Sequence, residues 1–258
     1  MKKFENIKAI ILDKDGVFVD FHKLWMRMIA ARAQILAEYT TTTWDAFNHV
    51  RTTCIRAMGV DDEDETIDPD SPVSMPFDMV KLAITTGLYI AVNSLEPTYT
   101  WKNAQADFAK SDKDLAEQLD FDDMIIAVDG SIEKIKEMVE AGFKLAVFTS
   151  DSVKNTERTL EKFELKDSVQ HTVAGMYKTA EMYEGICDKL GVKPEETIFI
   201  TDSPVDARIG KEAGANILAV LSGVIRKEAA DKHAVNVDEF IDSLADLDMS
   251  ALTQGATV

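Results

Sequence analysis

The sequence has little of several features that would place it in other classes of protein. Only two of its 258 residues are cysteines, Cys54 and Cys187, and they stand far apart along the chain. This spacing excludes a dense disulfide framework and a cysteine-based metal cluster, so each cysteine is predicted to be a buried free thiol. The 12 glycines and 6 prolines are too few for a collagen-like or linker-dominated chain.

Basic residues and long apolar runs are also scarce. The 28 Lys and Arg residues face 46 Asp and Glu, a net charge of −18, and so acidic a chain repels nucleic acid and anionic membranes. No apolar run approaches the roughly 18 uncharged residues of a membrane span. The first apolar run stops at Asp13, which argues against a secretory signal. The sequence therefore predicts a cytoplasmic protein with no nucleic-acid or membrane partner. It does not determine the oligomeric state, which is either a monomer or a homodimer.

What the sequence does contain is typical of a globular α/β domain, with 46 % hydrophobic and 29 % charged residues. Short apolar runs predict buried strands at 7–12, 143–149, 197–201 and 216–221. Apolar residues at helical spacing, each series followed by a glycine, predict helices at 131–141, 179–190 and 204–213. This alternation of strands and helices predicts a sheet of parallel strands.

The segment from about residue 21 to about residue 122 breaks the alternation, because it shows helical patterns and almost no convincing strand. Its helices are predicted at 21–39, 43–58, 77–92 and 100–119. A helical block inserted after the first strand suggests a cap over the carboxyl ends of the strands, where such sheets bind ligands. We therefore predict a core domain of residues 1–19 and 123–258 and a helical cap domain of residues 20–122.

Two further segments carry weaker patterns. The acidic run at 61–70 reads as a solvated surface loop or as a cation-binding loop, although it lacks the glycine and ligand spacing of an EF-hand. The last residues, 251–258, are expected to form a frayed tail.

Four short polar segments stand where predicted strands end or helices begin. They are DKDGV at 13–17 after the first strand, Thr149-Ser150 after the next strand, Lys178 before a helix, and the TDSPVD segment at 201–206. Each could be an ordinary turn or helix cap when taken alone. In a parallel sheet, however, the carboxyl ends of the strands meet at one edge, so these residues are expected to converge there.

The residue types at this edge suit phosphoryl transfer. Asp13, at the end of a rigid strand, fits a nucleophile, and Asp15 fits a group that gives a proton to a leaving oxygen. Gly16 allows a sharp turn that brings backbone N–H groups close to an anion. Thr149 and Lys178 supply a hydroxyl and a positive charge for a phosphoryl group. Clustered carboxylates repel one another unless a cation lies among them, and their hard oxygens favour Mg²⁺.

The order of these motifs resembles that of the haloacid dehalogenase-like hydrolase superfamily. The likeness covers residues 5–20 and 125–245 and is strongest to the subgroup of phosphoglycolate phosphatases and β-phosphoglucomutases, which inserts a helical cap after the first motif. The resemblance implies a Rossmann-like three-layer α/β/α sandwich with a parallel sheet, plus an inserted α-helical cap domain. It also implies a Mg²⁺ cofactor and a small phosphorylated substrate.

The resemblance implies a role for each matching residue. Asp13 would be the nucleophile and Asp15 the general acid/base, with Thr149 and Lys178 completing the catalytic group. The metal would be held by residues that carry carboxylates, with Asp206 among the ligands or just behind them: Asp13, Asp15, Asp202 and Asp206. The substrate would be bound by residues of the motifs and of the first hinge: Gly16, Thr149, Ser150, Lys178 and His22.

Asp15 also distinguishes among the reactions of the superfamily. Dehalogenases do not keep an aspartate two positions after the nucleophile, and phosphonatases have a small residue there, so the resemblance favours cleavage of C–O–P esters. The leading hypothesis is a Mg²⁺-dependent phosphatase for a phospho-acid or sugar phosphate, acting through an aspartyl-phosphate. A phosphomutase and a non-catalytic relative that binds a partner are the alternatives.

Several residues depart from the superfamily's pattern or lie beside the motifs. Lys14 is expected to point away from Asp13 and Asp15, and Asp151 is expected to face solvent or cap a helix. Thr201 stands where many relatives have glycine. Basic residues early in the cap either lie on solvated helix faces or clamp an anionic group of the substrate, and these are His22, Lys23, Arg27, Arg32, Arg51 and Arg56.

Overall fold

The computed structural model describes residues 1–61, 66–68, 71–75, 77–225, 227 and 230–254. The chain divides into two compact units, an α/β unit of residues Met1–Phe21 and Ile125–Val258 and a helical unit of residues His22–Met124. The boundaries predicted from the sequence lie two residues before those of the structure. Most of the acidic run, residues 62–65, 69 and 70, falls outside the described residues, so its predicted role is not developed further.

The α/β unit is built on a six-stranded parallel sheet. Its strands, in chain order, are β2 (Ala9–Leu12), β5 (Lys144–Phe148), β6 (His171–Val173), β7 (Thr197–Thr201), β8 (Asn216–Val220) and β9 (Glu239–Ile241). They lie in the order β6-β5-β2-β7-β8-β9, with every neighbouring pair parallel. The most apolar strand, β2, thus lies between β5 and β7, where all its side chains are buried.

Helices cover the sheet because the strands carry apolar residues on both faces. The helices of this unit are α6 (Ser131–Glu140), α7 (Val153–Lys162), α8 (Ala180–Leu190), α9 (Pro204–Glu212) and the short α10 (Ala230–His233). On one face, Ile11, Phe148 and Phe199 pack with the apolar sides of α8 and α9, including Tyr183 and Ile186. Ile10 and Leu12 are equally buried and point to the other face, so both faces are covered. The predicted α/β fold is confirmed.

The sequence missed the elements with weak apolar patterns. Helix α7 buries only Thr156, Thr159 and Leu160, and strands β6 and β9 have three residues each. The expectation of a frayed tail was wrong for residues 252–254. They form strand β10 (Leu252–Gln254), which pairs in parallel with β1 (Phe4–Ile7), because a distant N-terminal strand supplies its partner.

The helices of the helical unit are α1 (Phe21–Thr40), α2 (Trp44–Ala57), α3 (Phe77–Leu95), α4 (Trp101–Gln118) and the short α5 (Phe121–Met124). Helix α1 begins at Phe21, one residue before this unit begins. Helix α3 packs against both α2 and α4. Gly87 allows the close approach of α2, since a Cβ there would lie 2.7 Å from the Ala57 Cβ. The one β pairing in the described part of this unit joins β3 (Val60–Asp61) and β4 (Thr66–Ile67), which the sequence did not predict.

Two global expectations can be compared with the structure. Cys54 and Cys187 are buried and free. Among the described residues, no helix combines the length and apolar character needed to cross a membrane.

Candidate active site

Three adjacent strands deliver the predicted acids and hydroxyl to one edge of the sheet. Leu12, the last residue of β2, is paired with Val147 of β5 and with Ile200 of β7. Asp13 follows directly, and its N–H donates to the Ile200 carbonyl at 2.9 Å. Thr149 and Asp202 follow β5 and β7 in the same way, and all three side chains are buried. The parallel register therefore brings the ends of these motifs together, as predicted.

A buried lysine joins the first and last motifs. Lys178 lies in the loop between β6 and α8, and its Nζ is 2.9 Å from Asp13 Oδ1 and also donates to Asp206 Oδ2. The ammonium group lies 5.5 Å and 5.8 Å from the ring centres of Phe148 and Phe199. The ion pair with Asp13 places the Lys178 charge beside the candidate nucleophile, where it would also face a phosphoryl group.

Asp202 is wedged between two glycines. A Cβ at Gly16 would lie 2.1 Å from Asp202 Oδ2, and a Cβ at Gly223 would lie 2.0 Å from it. The same oxygen accepts a hydrogen bond from the Val224 N–H at 2.8 Å. The Ser222 hydroxyl donates to the Gly16 carbonyl at 2.6 Å. The loop after β8 thus fixes the orientation of the Asp202 carboxylate and the turn of the first motif.

Sequence reasoning missed this loop. Its signal was present, because Ser222 and Gly223 follow the predicted strand at 216–221, whose carboxyl end lies at the same edge of the sheet. Thr201 stands where many relatives have glycine, and its hydroxyl forms a hydrogen bond there. It accepts from the Ser203 N–H at 3.1 Å, at the start of α9.

The structure corrects the expectations for Lys14 and Asp151. Lys14 is completely buried, and its Nζ bonds to Asp15 Oδ1 and lies 3.1 Å from Asp151 Oδ2. The strand has already ended at Leu12, so strand alternation no longer sets the direction of the Lys14 side chain. Asp151 turns one carboxylate oxygen toward the lysine instead of facing solvent alone, and the N-cap of α7 is Ser152 and not Asp151.

The other residues predicted to bind the substrate lie in both units of the chain. The Thr149 hydroxyl accepts a hydrogen bond from the Asp151 N–H at 3.2 Å, which fixes its oxygen at the end of β5. Ser150 is exposed beside it, so its hydroxyl is accessible. His22 belongs to the helical unit, and its role as a substrate contact stays a prediction. The basic group of Arg32 is taken up within the helical unit by Asp112, at 2.6 Å.

Burial raises the pKa of three acids of the site, Asp13, Asp15 and Asp202. Burial, opposed by Lys178 and reinforced by Asp206, raises the pKa of Asp13 to about 7. Burial and then the charge of Asp13 raise the pKa of Asp202 well above its usual range. Burial also raises the pKa of Asp15, against the opposing effect of Lys14. A raised pKa suits Asp15 as a proton donor, whereas Asp13 must lose its proton before it can attack.

Lys178 stays charged in this environment. Burial acts to lower the pKa of its ammonium group, but Asp13 and Asp206 outweigh burial, and the pKa lies above the usual range for lysine. The positive charge beside the candidate nucleophile is therefore permanent at neutral pH.

The oxygen donors at this edge fit a hard divalent cation. Among the described residues, no three Asp, Glu, His or Cys side chains are grouped closely enough to hold a metal by themselves. Mg²⁺ does not require such a group, since it is usually held by one or two carboxylates and keeps several waters. The two buried carboxylates of Asp13 and Asp202 supply that number, and a cation between them would favour their ionised forms.

Asp206 differs from these two acids. Its carboxylate receives the Lys178 ammonium group and lies 3.5 Å from the Thr201 hydroxyl. A position behind the metal ligands is the alternative that these contacts favour, and its assignment as a ligand stays a prediction.

Comparison with known proteins gives one curated relative and two solved structures of note. Enolase-phosphatase E1 of Aquifex aeolicus is 30 % identical over 100 residues, which are 36 % of this chain and 44 % of that relative. A Thermotoga maritima protein provisionally described as a β-phosphoglucomutase has a TM-score of 0.58 at 20 % identity, over 93 % of this chain and 96 % of its own. A predicted phosphoglycolate phosphatase from Haemophilus somnus has a TM-score of 0.60 at 15 % identity, with the same two coverages.

These similarities differ in sequence identity and in how much of each chain they cover. At 15 % and 20 % identity, the solved structures show a common fold and nothing finer. The matches to six curated relatives cover between 17 % and 52 % of those proteins' lengths. The profile of one family, described as haloacid dehalogenase-like hydrolase, instead matches residues 7–214, which include every motif at the sheet edge. This chain therefore belongs to the haloacid dehalogenase-like hydrolase family.

Proposed function

We propose that this chain is a Mg²⁺-dependent phosphatase that hydrolyses a small phosphate monoester, such as a phospho-acid or a sugar phosphate, through an aspartyl-phosphate. The observation that carries the proposal is the pairing of Asp13 with the buried ammonium group of Lys178, 2.9 Å away, at the end of the strand in the middle of the sheet. The phosphatases named among its curated relatives support the reaction class.

The first half of the reaction forms the covalent intermediate. The Asp13 carboxylate attacks phosphorus, and the bond from phosphorus to the ester oxygen breaks. Lys178 and the Thr149 hydroxyl hold the phosphoryl oxygens, whose charge must be stabilised throughout the transfer. The carboxyl group of Asp15 gives its proton to the leaving oxygen, so the alcohol departs neutral.

The second half regenerates the enzyme. Asp15, now ionised, accepts a proton from a water molecule as that water attacks phosphorus, and the bond to Asp13 breaks to give inorganic phosphate. A bound Mg²⁺, held by the carboxylates of Asp13 and Asp202 and the carbonyl of Asp15, would neutralise part of the phosphoryl charge and favour ionised Asp13. Asp206 keeps Lys178 in place beside the nucleophile.

Other features of the proposal concern the chain as a whole. The helical unit would act as the cap that reads the organic part of the substrate, with His22 near its first hinge as a contact. The protein would work in the cytoplasm, on a small molecule, without nucleic acid or membrane. Its net charge of −18 is consistent with the absence of nucleic-acid and membrane partners. For an anionic substrate to bind, the local positive charge of Lys178 must offset the negative field of the whole chain.

Phosphate release tests the proposal. The purified chain is assayed with Mg²⁺ and with EDTA against sugar phosphates, phospho-acids, nucleotides and 4-nitrophenyl phosphate. Asp13→Asn is the test variant, and Asp188→Asn, an exposed aspartate of α8, is the matched control. We expect release that requires Mg²⁺, is retained by D188N, and falls at least about 1,000-fold in D13N.

Other results would contradict the proposal. Equal release by D13N and the parent would exclude Asp13 as the nucleophile. No release of phosphate, combined with isomerisation of a sugar phosphate that depends on a bisphosphate activator, would identify a phosphomutase. No reaction of either kind by a folded, Mg²⁺-loaded chain would favour the non-catalytic relative.

A further inference from the structure

Two buried lysines lie close to the first motif, and each contacts different acids. The Nζ of Lys178 contacts Asp13 and Asp206, whereas the Nζ of Lys14 contacts Asp15 and Asp151. The mechanism proposed above uses Lys178 but has no role for Lys14. A lysine whose side chain is 0 % exposed requires a physical reason for its burial.

The two carboxylates explain how Lys14 can remain charged. An isolated ammonium group in the interior would be strongly destabilising. The Nζ of Lys14 bonds to Asp15 Oδ1 and lies 3.1 Å from Asp151 Oδ2, so two carboxylates compensate its charge. Lys14 is therefore a fixed positive charge, and its position and that of the Asp15 carboxylate depend on each other.

Asp151 is anchored independently of the lysine. Its Oδ1 accepts hydrogen bonds from the Ser152 N–H at 2.6 Å and from Asn155 Nδ2 at 3.1 Å. Its carbonyl accepts from the Gly175 N–H at 2.6 Å. These contacts fix Asp151 at the start of α7, so its other oxygen, Oδ2, offers Lys14 a fixed partner 3.1 Å away.

Asp15 needs such support because it lies beyond the end of the strand. Its side chain is 20 % exposed, and it belongs to the turn in which the Gly16 N–H donates to the Val19 carbonyl. A general acid must come within hydrogen-bonding distance of the leaving oxygen, and a displacement of about 1 Å can cost about 100-fold in rate.

We propose that Lys14 and Asp151 are positioning residues for Asp15. Asp151 holds the Lys14 ammonium group, which in turn holds the Asp15 carboxyl group in the orientation needed to give a proton to the leaving oxygen. The inference rests on the proposed function, in which Asp15 is the general acid. Neither Lys14 nor Asp151 touches the substrate in this account.

Leaving-group dependence separates positioning of the acid from a general structural role. Phenyl phosphate and 4-nitrophenyl phosphate have similar shapes, but the phenolate ion, with a conjugate-acid pKa of about 10, needs a proton to depart, whereas 4-nitrophenolate does not. The quantity to measure is kcat/KM, because it ends with departure of the leaving group and excludes the later hydrolysis that both substrates share.

The variant Lys14→Met should lower kcat/KM about 10- to 100-fold for phenyl phosphate and leave that for 4-nitrophenyl phosphate nearly unchanged. Lys144→Met is the matched control, since it removes a lysine whose Nζ donates to the Leu190 carbonyl far along the chain from the motif; it should change neither value. Equal loss for both substrates in folded K14M, or loss for neither, would overturn the proposal.

A second variant covers the case in which K14M does not fold. Asp151→Asn keeps the shape of a side chain that is 21 % exposed, removes its charge and replaces one acceptor oxygen with an NH₂ group. We expect the same selective loss for phenyl phosphate, smaller than in K14M. In the double variant the two effects should not add, because Asp151 acts through Lys14. Additive losses, or a loss in D151N that is the same for both substrates, would contradict the proposal.

A structural measurement decides the inference even if the proposed function fails. Parent chain that releases phosphate from neither substrate would refute the phosphatase assignment alone. Crystal structures of the parent and of D151N would then be compared at Asp15. A displaced or rotated Asp15 carboxylate in the variant supports positioning, and an unchanged carboxylate overturns it.

Discussion

The α/β unit buries charged side chains, whereas the described part of the helical unit buries only uncharged polar ones. At one edge of its sheet, the α/β unit buries Asp13, Lys14 and Asp202, together with the side chain of Lys178. In the helical unit, the buried polar side chains among the described residues are the uncharged Ser71, Thr85 and Ser111. Burying a charge is costly unless it is paired, so a cluster of buried charges marks a candidate active site.

The same difference explains how far function can be derived in each unit. In the α/β unit, each of these buried groups has a hydrogen-bonding partner and a proposed role, in the reaction or in positioning Asp15. In the helical unit, Arg32 bonds to the surface residue Asp112 and stacks 4.6 Å from the centre of the Phe108 ring. Such contacts stabilise a helix pair and say nothing about a substrate.

The largest effect is expected at Lys178. Lys178→Met leaves the Asp13 and Asp206 carboxylates buried without their shared cation, which should lower the free energy of unfolding by about 3 kcal/mol. Phosphate release should fall at least about 100-fold, because the phosphoryl charge loses a fixed partner. Urea unfolding and the phosphate assay measure the two effects, with Lys189→Met of α8 as the control. Full activity in K178M would break the link between buried charge and chemistry.

A smaller effect is expected at the glycine that wedges Asp202. In Gly223→Ala, the added methyl group would lie 2.0 Å from Asp202 Oδ2, so the carboxylate must move. We expect the concentration of Mg²⁺ that gives half-maximal phosphate release to rise about tenfold. Gly185→Ala is the control, since a Cβ there has nothing within 4 Å. An unchanged Mg²⁺ requirement in G223A would mean that Asp202 is not a ligand.

The raised pKa of Asp13 gives a prediction for metal and pH together. The carboxyl ionises near pH 4 in the unfolded chain but at about pH 7 in the folded one. Between these values the folded state holds a proton that the unfolded state has lost, so this group makes the metal-free protein less stable as pH rises toward 7. A cation beside ionised Asp13 offsets that loss.

We therefore expect Mg²⁺ to raise the Tm by a few degrees more near pH 8 than near pH 5.5. Differential scanning fluorimetry in buffers of matched ionic strength measures this difference, and D13N should reduce it. Equal shifts at both pH values, or a larger shift at the lower pH, would separate the metal from Asp13.

The smallest effect is expected in the helical unit. Arg32→Met removes the bond to Asp112 and the contact with Phe108 but keeps an apolar stem, so the free energy of unfolding should fall by about 1 kcal/mol. Hydrolysis of 4-nitrophenyl phosphate should not change. A loss of phosphate release with unchanged stability would give Arg32 a direct part in the site and erase the contrast between the units.

The sequence predicted most of what strong local patterns determine. The strands around Asp13, Thr149 and Asp202 are apolar runs with sharp ends, and parallel pairing alone brings those ends together. Helices with full apolar stripes were predicted within a few residues of their bounds. These features need no knowledge of distant contacts, since each follows from a short stretch of chain.

What the sequence did not predict depends on distant partners or on the path of a turn. Strand β10 forms because Leu252 pairs with Phe4, at the other end of the chain. The bracing of Asp202 by Gly223 requires the loop after β8 to reach the first motif. Lys14 was assigned the direction of a strand residue although it already lies in a turn, and only the position of Asp151 reveals its true direction.

The central claim, that Asp13 is the nucleophile, is tested most directly by trapping the intermediate. The chain is mixed with 4-nitrophenyl phosphate and Mg²⁺, quenched in acid within one turnover and reduced with borohydride, which converts an aspartyl-phosphate to homoserine. Peptide mass spectrometry then locates the modified residue. The account predicts homoserine at position 13 in the parent and none in D13N. Phosphate release without a modified Asp13, or with modification of another residue, would contradict it.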